Sequence, residues 1–139
     1  MGVFSSGGVG IDLGSANVTI FRESEGVVLR EPSYVLASRD DPDNVLACGR
    51  DARQMLGRTP HAAVLVSPVL DGAVGDIEMT TTLLRELSEK AIGRRRALDR
   101  TRLVVSMGLG VTRVERAALE EAVKALGARR AALVRSTVA

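Results

Sequence analysis

Three features of this 139-residue chain predict an α/β domain, with a mixed sheet, covering helices and a small inserted block. Short strand-like runs separated by tight turns open the sequence. Two later stretches carry apolar residues at helical spacing between recognisable caps, and strand, helix and strand alternate towards the end.

The opening runs are Val9 to Leu13, Val18 to Arg22 and Val27 to Arg30, with Glu25-Gly26 as a tight turn before the third. Glu31-Pro32 interrupts this meander, because proline fixes its own backbone and restricts the residue before it. Ser33 to Ser38 and Val45 to Cys48 read as two further strands across the polar loop Arg39 to Asn44, followed by a short helix over Arg50 to Leu56. That block ends at Gly57-Arg58-Thr59-Pro60, and residues 68 to 75 carry the chain back.

Asp76 to Ile92 is an amphipathic helix pattern: Met79, Leu83, Leu84, Leu87 and Ala91 share a face, acidic residues sit in the first turn, and Gly93 follows the last. Leu103 to Met107 is expected to be a strand buried along its whole length. Thr112 and Glu115 have capping-box spacing, Leu119, Ala122, Val123 and Leu126 form an apolar stripe, and Gly127 closes the helix. Ala131 to Val134 returns as a strand, and a right-handed strand–helix–strand unit makes the sheet mixed.

Composition is that of an ordinary globular chain, at 45% hydrophobic and 26% charged residues. A chain of this length buries about 70% of its unfolded surface, enough for one core. One Tyr, two Phe and no Trp cannot build a stacking platform, which argues against a single-stranded nucleic-acid partner. Cys48 is the only cysteine, so no intrachain disulfide forms and a reducing compartment is expected. Neither Cys48 nor His61, the only histidine, has partners for a metal or nucleophile site, so each reads as a core or surface residue. No apolar run reaches transmembrane length.

Net charge is only +2, but its distribution is uneven. Arg94, Arg95, Arg96, Arg100 and Arg102 lie within nine residues, opposed by Asp99 alone. This run is either a solvated connector or a contact for an anionic surface such as lipid headgroups. The start Met1 to Ser6 fits a myristoylation pattern, which short Gly/Ser starts often match by chance.

The most informative chemistry lies at Asp12-Leu13-Gly14-Ser15-Ala16-Asn17. A carboxylate at a strand end precedes a turn of small residues whose backbone N–H groups an anion can approach. Asp12 repels a phosphate but can hold a hydrated Mg²⁺ beside one. An ordinary hairpin has the same local pattern. Gly108-Leu109-Gly110 invites a dinucleotide reading, but Arg113 stands at the third glycine position.

Gly10 to Asn17 resembles the first phosphate loop of the actin, Hsp70 and sugar-kinase superfamily, and is most similar to the MreB family of bacterial actin homologues. Glu31-Pro32-Ser33, Gly49 with Ala52, Met55-Leu56-Gly57-Arg58-Thr59-Pro60, Pro68 with Asp71-Gly72 and Asp76 match in family order. So do Val111-Thr112, Val114 to Ala117 and Gly127-Ala128.

The resemblance implies an actin-like ATPase (ribonuclease H-like) lobe, with residues 1–32 and 75–139 in subdomain IA and an inserted subdomain IB over 33–74. The second phosphate loop and adenosine pocket have no counterpart in these 139 residues. ATP and Mg are the implied cofactors: Gly14, Ser15, Ala16 and Asn17 donate to the phosphates and Asp12 holds Mg²⁺ through water. The family's acidic pair, which orients the attacking water, is replaced by Arg135 and Ser136, so hydrolysis is at most weak.

The implied function is cell-shape determination, by filaments at the inner face of the cell membrane that self-associate and organise the wall-elongation machinery. Membrane contact is expected through Arg94, Arg95, Arg96 and Leu98. The rival reading is a degenerate, non-polymerising regulator bound to such filaments. A sugar- or acetate-kinase lobe is disfavoured because no substrate pocket can be assigned.

Overall fold

Alternation of apolar and polar residues along the first strands requires one face of a sheet to be covered, and the two amphipathic helices supply the cover. The computed structural model describes residues 7–70, 73–93, 98, 101–108 and 110–135. Strands β1 (Gly8–Leu13), β2 (Asn17–Arg22) and β3 (Gly26–Pro32) form an antiparallel meander. Strands β4 (Val35–Ser38), β5 (Val45–Cys48) and β6 (Ala63–Val66) make a separate three-stranded sheet in the order β5-β4-β6. A short helix, α1 (Arg50–Arg53), follows β5, and β7 (Val69–Leu70) pairs with β8 (Ala73–Val74). Helix α2 (Ile77–Ile92), β9 (Arg102–Met107), α3 (Arg113–Lys124) and β10 (Arg130–Arg135) complete the order.

The large sheet runs β10-β9-β1-β2-β3. Its first three strands are parallel and the rest antiparallel, as the strand–helix–strand pattern requires. Val9, Ile11, Leu13, Val18, Ile20, Leu103, Val105, Met107 and Leu133 point to one face, into a core shared with Met79, Leu83, Leu84 and Leu87 of α2 and Leu119 and Val123 of α3. The small sheet joins this core through Val35 and Ala37. Its other face packs Leu36 and Ala63 against Ala52 of α1.

Both long helices begin at the caps read from the sequence. The Asp76 carboxylate accepts the Met79 N–H at 3.0 Å. Thr112 and Glu115 form the reciprocal box: Thr112 Oγ1 accepts the Glu115 N–H at 3.2 Å, and the Glu115 carboxylate accepts the Thr112 N–H at 2.9 Å. The Thr112 N–H first, and the Thr112 hydroxyl after it, hold the Glu115 carboxyl below its ordinary range, because hydrogen bonds donated to the carboxylate favour its charged form.

Two expectations are corrected. The helix expected over Arg50 to Leu56 ends at Arg53, and residues 54–57 form a turn with Gly57 at φ 80°. The strand expected to be buried throughout is half covered: Leu103, Val105 and Met107 are buried, whereas Val104 is 43% exposed. Val104 lies on the face opposite the helices, and no described element packs over it.

Candidate functional site

Parallel pairing of β1, β9 and β10 aligns their carboxyl ends, with Leu13 opposite Met107 and Met107 opposite Arg135. In α/β sheets this edge is where ligands meet loop backbone. The Gly14–Asn17 turn stands there, joining β1 to β2.

The turn is tight and braced. The Gly14 N–H donates to the Asn17 carbonyl at 3.0 Å, so that amide closes the hairpin and is not offered outward. Glycine is required there because a Cβ would stand 2.9 Å from the same carbonyl oxygen. Ser33, fully buried, grips the turn twice: its hydroxyl donates to the Gly14 carbonyl at 2.6 Å and its N–H to the Ala16 carbonyl at 3.0 Å. Glu31-Pro32-Ser33 is thus the brace of the phosphate-type turn as well as the end of the meander. The Ala16 N–H has no partner among the described residues. Ala16 is exposed, while Ser15 and Asn17 are half-buried.

Asp12 sits one register step before the turn on the open face, and its Oδ1 accepts the Ser106 hydroxyl at 3.0 Å. Oδ2 makes no hydrogen bond among the described residues, and the side chain is exposed. An oriented carboxylate with one free oxygen suits a hydrated Mg²⁺, which keeps most of its waters and takes one or two carboxylates. Among the described residues no three His, Cys, Asp or Glu side chains converge.

Behind the turn, Glu31 is buried and its carboxylate accepts the Arg50 N–H at 2.9 Å and meets Lys90 Nζ at 2.6 Å. Burial alone would raise its pKa, but the Arg50 N–H and the Lys90 ammonium outweigh it and hold the carboxyl below its ordinary range. This contact ties three elements together: the end of β3, the start of α1 and the last turn of α2. Gly49, at φ 66°, is forced by it, since a Cβ there would collide with the Glu31 carboxylate.

Other expected residues fall elsewhere. Arg135 ends β10, exposed, at the edge that also carries the turn; Ser136 lies outside the described residues. So do Arg94, Arg95, Arg96 and the first six residues. Leu98 is 4% exposed, and its carbonyl accepts both the Thr101 hydroxyl and N–H. The expectation that it reaches a membrane is corrected on this point: its side chain is packed inward. Burial, aided by Glu86 and Glu31, pushes the Cys48 thiol up to about 12, so it is inert at neutral pH. His61 is exposed, and its carbonyl accepts Arg39 Nε. No described helix is long and apolar enough to cross a membrane.

Sequence reasoning missed Ser33 as a brace, Ser106 as the Asp12 partner and Lys90 as the Glu31 partner. Only the presence of a small hydroxyl residue after Glu31-Pro32 hinted at the first. Nothing local marks Ser106, which lies 94 residues from Asp12.

This fold matches solved actin-like structures. The crystal structure of MreB5 of Spiroplasma citri bound to ADP superposes with a TM-score of 0.76 at 29% identity, covering 90% of this chain and 36% of that one. The same protein bound to AMPPNP gives 0.77 at 28%, covering 91% and 38%. The class is therefore an actin-like α/β protein. The MreB/Mbl protein family matches residues 6–139.

The cell shape-determining protein MreB of Escherichia coli (strain K12) is 36% identical over 99% of this chain and 40% of its own length. Mbl of Bacillus subtilis (strain 168) is 37% identical over 86% of this chain and 35% of its own. The chain belongs to the MreB/Mbl family, and it spans about two fifths of the curated relatives it matches.

Proposed function

We propose that the chain acts as the first lobe of an MreB-type cytoskeletal protein, binding Mg-ATP at its first phosphate turn and self-associating into membrane-associated filaments that organise wall synthesis. Family membership supports the coarse part, a cell shape-determining actin-like protein. The observation that carries the nucleotide part is the Gly14–Asn17 turn, gripped by Ser33 beside the Ser106-oriented Asp12. The MreB5 neighbours bound to ADP and AMPPNP agree with it. In this reading the Ala16 amide and the Asn17 side chain orient a phosphate, Asp12 orients water on Mg²⁺, and the metal supplies charge neutralisation when bound.

Residues 1–32 with 75–139 act as one subdomain and 33–74 as an inserted one. The wall-elongation machinery and the anionic inner face of the membrane, approached by Arg94, Arg95 and Arg96, are the partners of this reading, with a cytoplasmic, peripheral location.

A second reading is a regulator that binds MreB filaments without polymerising, favoured by Arg135 at the position where the family resemblance implies an acid. Sedimentation separates the two. Under the first, the chain pellets alone with Mg-ATP, and Asp12→Ala abolishes pelleting. Under the second, it pellets only with added MreB filaments and Asp12→Ala changes nothing. Absence from both pellets defeats both.

A further inference from the structure

A cleft of about 440 Å³ opens between the end of β3 and α1, lined by Asn17, Arg30, Pro32, Arg50, Arg53 and Gln54. Three arginines are among its lining residues and no acidic residue is. Among the described residues none of the three forms a salt bridge. Glu31, their neighbour in sequence, is buried against Lys90 and the Arg50 N–H, and Asp51 of α1 is not part of the lining. The buried Glu31 carboxylate acts electrostatically on Arg50, but Arg30 and Arg53 have no ion-pair partner among the described residues, and like charges gathered this way repel one another until an anion sits among them.

The frame around the cleft is fixed. Arg50 Nη2 donates to the Arg30 carbonyl at 3.4 Å, which lays that side chain along β3. The Glu31 carboxylate holds the Arg50 backbone from the other side. Asn17 belongs both to this cleft and to the braced turn, so the two share a wall.

We propose that this cleft is a phosphate-binding subsite in which Arg30, Arg50 and Arg53 take the oxygens of one phosphate group. A guanidinium presents a planar fork of donors that matches a phosphate edge. A tetrahedral oxyanion offers edges to several forks at once, whereas a carboxylate satisfies one. The phosphate comes either from the far end of a nucleotide held at the turn or from a free inorganic species. Only the first source rests on the nucleotide reading given above.

The test is titration of the 139-residue chain with inorganic pyrophosphate, without metal, read from the arginine Nε–Hε resonances by NMR. The resonances of Arg30, Arg50 and Arg53 shift saturably, with a dissociation constant on the order of 1 mM for so open a site. Each Arg→Gln change weakens binding by about threefold to tenfold and the triple change abolishes it. Arg→Lys variants, which keep the charge and lose the fork, bind with intermediate strength. Circular dichroism unchanged in these exposed-residue variants separates lost binding from lost folding.

Mg-ATP and Mg-AMP then separate the sources. If the triple variant loses at least tenfold for ATP and nothing for AMP, the subsite holds the end of the nucleotide. If pyrophosphate binding falls and ATP binding does not, the ligand is free phosphate. A chain that binds pyrophosphate here but no ATP keeps the subsite and defeats the nucleotide reading. Absence of saturable shifts, or shifts equal in wild type and triple variant, overturns the proposal, as does an acidic peptide that binds more tightly than pyrophosphate.

Discussion

The two faces of the five-stranded sheet are made by the same strands and have opposite characters. On one, Ile11, Ile20, Leu103 and Val105 are almost wholly buried beneath α2 and α3. On the other, Val104, Gly10, Phe21 and Val27 fall in register across four strands, and Phe21, Val27 and Val104 are 42%, 58% and 43% exposed. Towards the carboxyl edge of that open face the next row is Val134, Ser106, Asp12, Thr19 and Arg30, mostly polar. The covered face holds the fold together, and the open face carries Asp12 and the groups proposed to meet a ligand. Alternation with period two delivers both from one sequence.

The contrast predicts unequal costs of truncation. Leu83→Ala, in the middle of the covering helix and fully buried, should cost about 3 kcal/mol. Chemical denaturation measures it, and a cost below that of an open-face change would break the comparison.

The Glu31 contact joins the covered core to the α1 block and gives the next effect. Glu31→Gln keeps an acceptor for the Arg50 N–H but removes the partner of Lys90 Nζ, half of whose side chain is exposed. The expected loss is about 2 kcal/mol at neutral pH, less than for a fully buried pair. Because the folded-state pKa lies below the unfolded one, this stabilisation is complete above the ordinary carboxylate range. It fades as pH falls through the folded value. Denaturation of wild type and variant over a pH series should converge under acid, and a constant gap would remove the ionic account.

Thr112→Ala removes the reciprocal cap of α3 and should cost about 1 kcal/mol, read as a lowered melting temperature. Smallest of all, Val104→Thr on the open face should change stability by no more than about 0.5 kcal/mol. A large loss there would mean that this face is covered in solution.

Much of the covered face was legible in the sequence, because its signals are local. Asp76 caps α2 and Thr112 with Glu115 caps α3, as spacing alone implies, and the apolar stripes of both helices cover one face of the sheet. The Gly14–Asn17 turn was legible as a hairpin for the same reason. The brace was not: Ser33 reaches Gly14 across 19 residues, and Ser106 reaches Asp12 only after α2 and β9 are in place.

Exposure of Val104 was also hidden, since a run of apolar residues does not say whether one or both faces find a partner. The Gly14 amide shows a subtler limit. Sequence marks a glycine-containing turn as rich in donors, yet hydrogen bonding inside the hairpin takes that donor and leaves Ala16.

The central claim, that the turn at the carboxyl edge receives a phosphate beside an Asp12-bound metal, is tested most directly by amide NMR of the chain during titration with Mg-ADP. The predicted result is a saturable shift largest at Ala16 and Asn17, absent for adenosine, and weakened at least tenfold in Asp12→Ala when Mg²⁺ is present but little when it is removed. Unmoved Ala16 and Asn17 amides at saturating nucleotide, or shifts that ignore both the phosphate and Asp12, would contradict it.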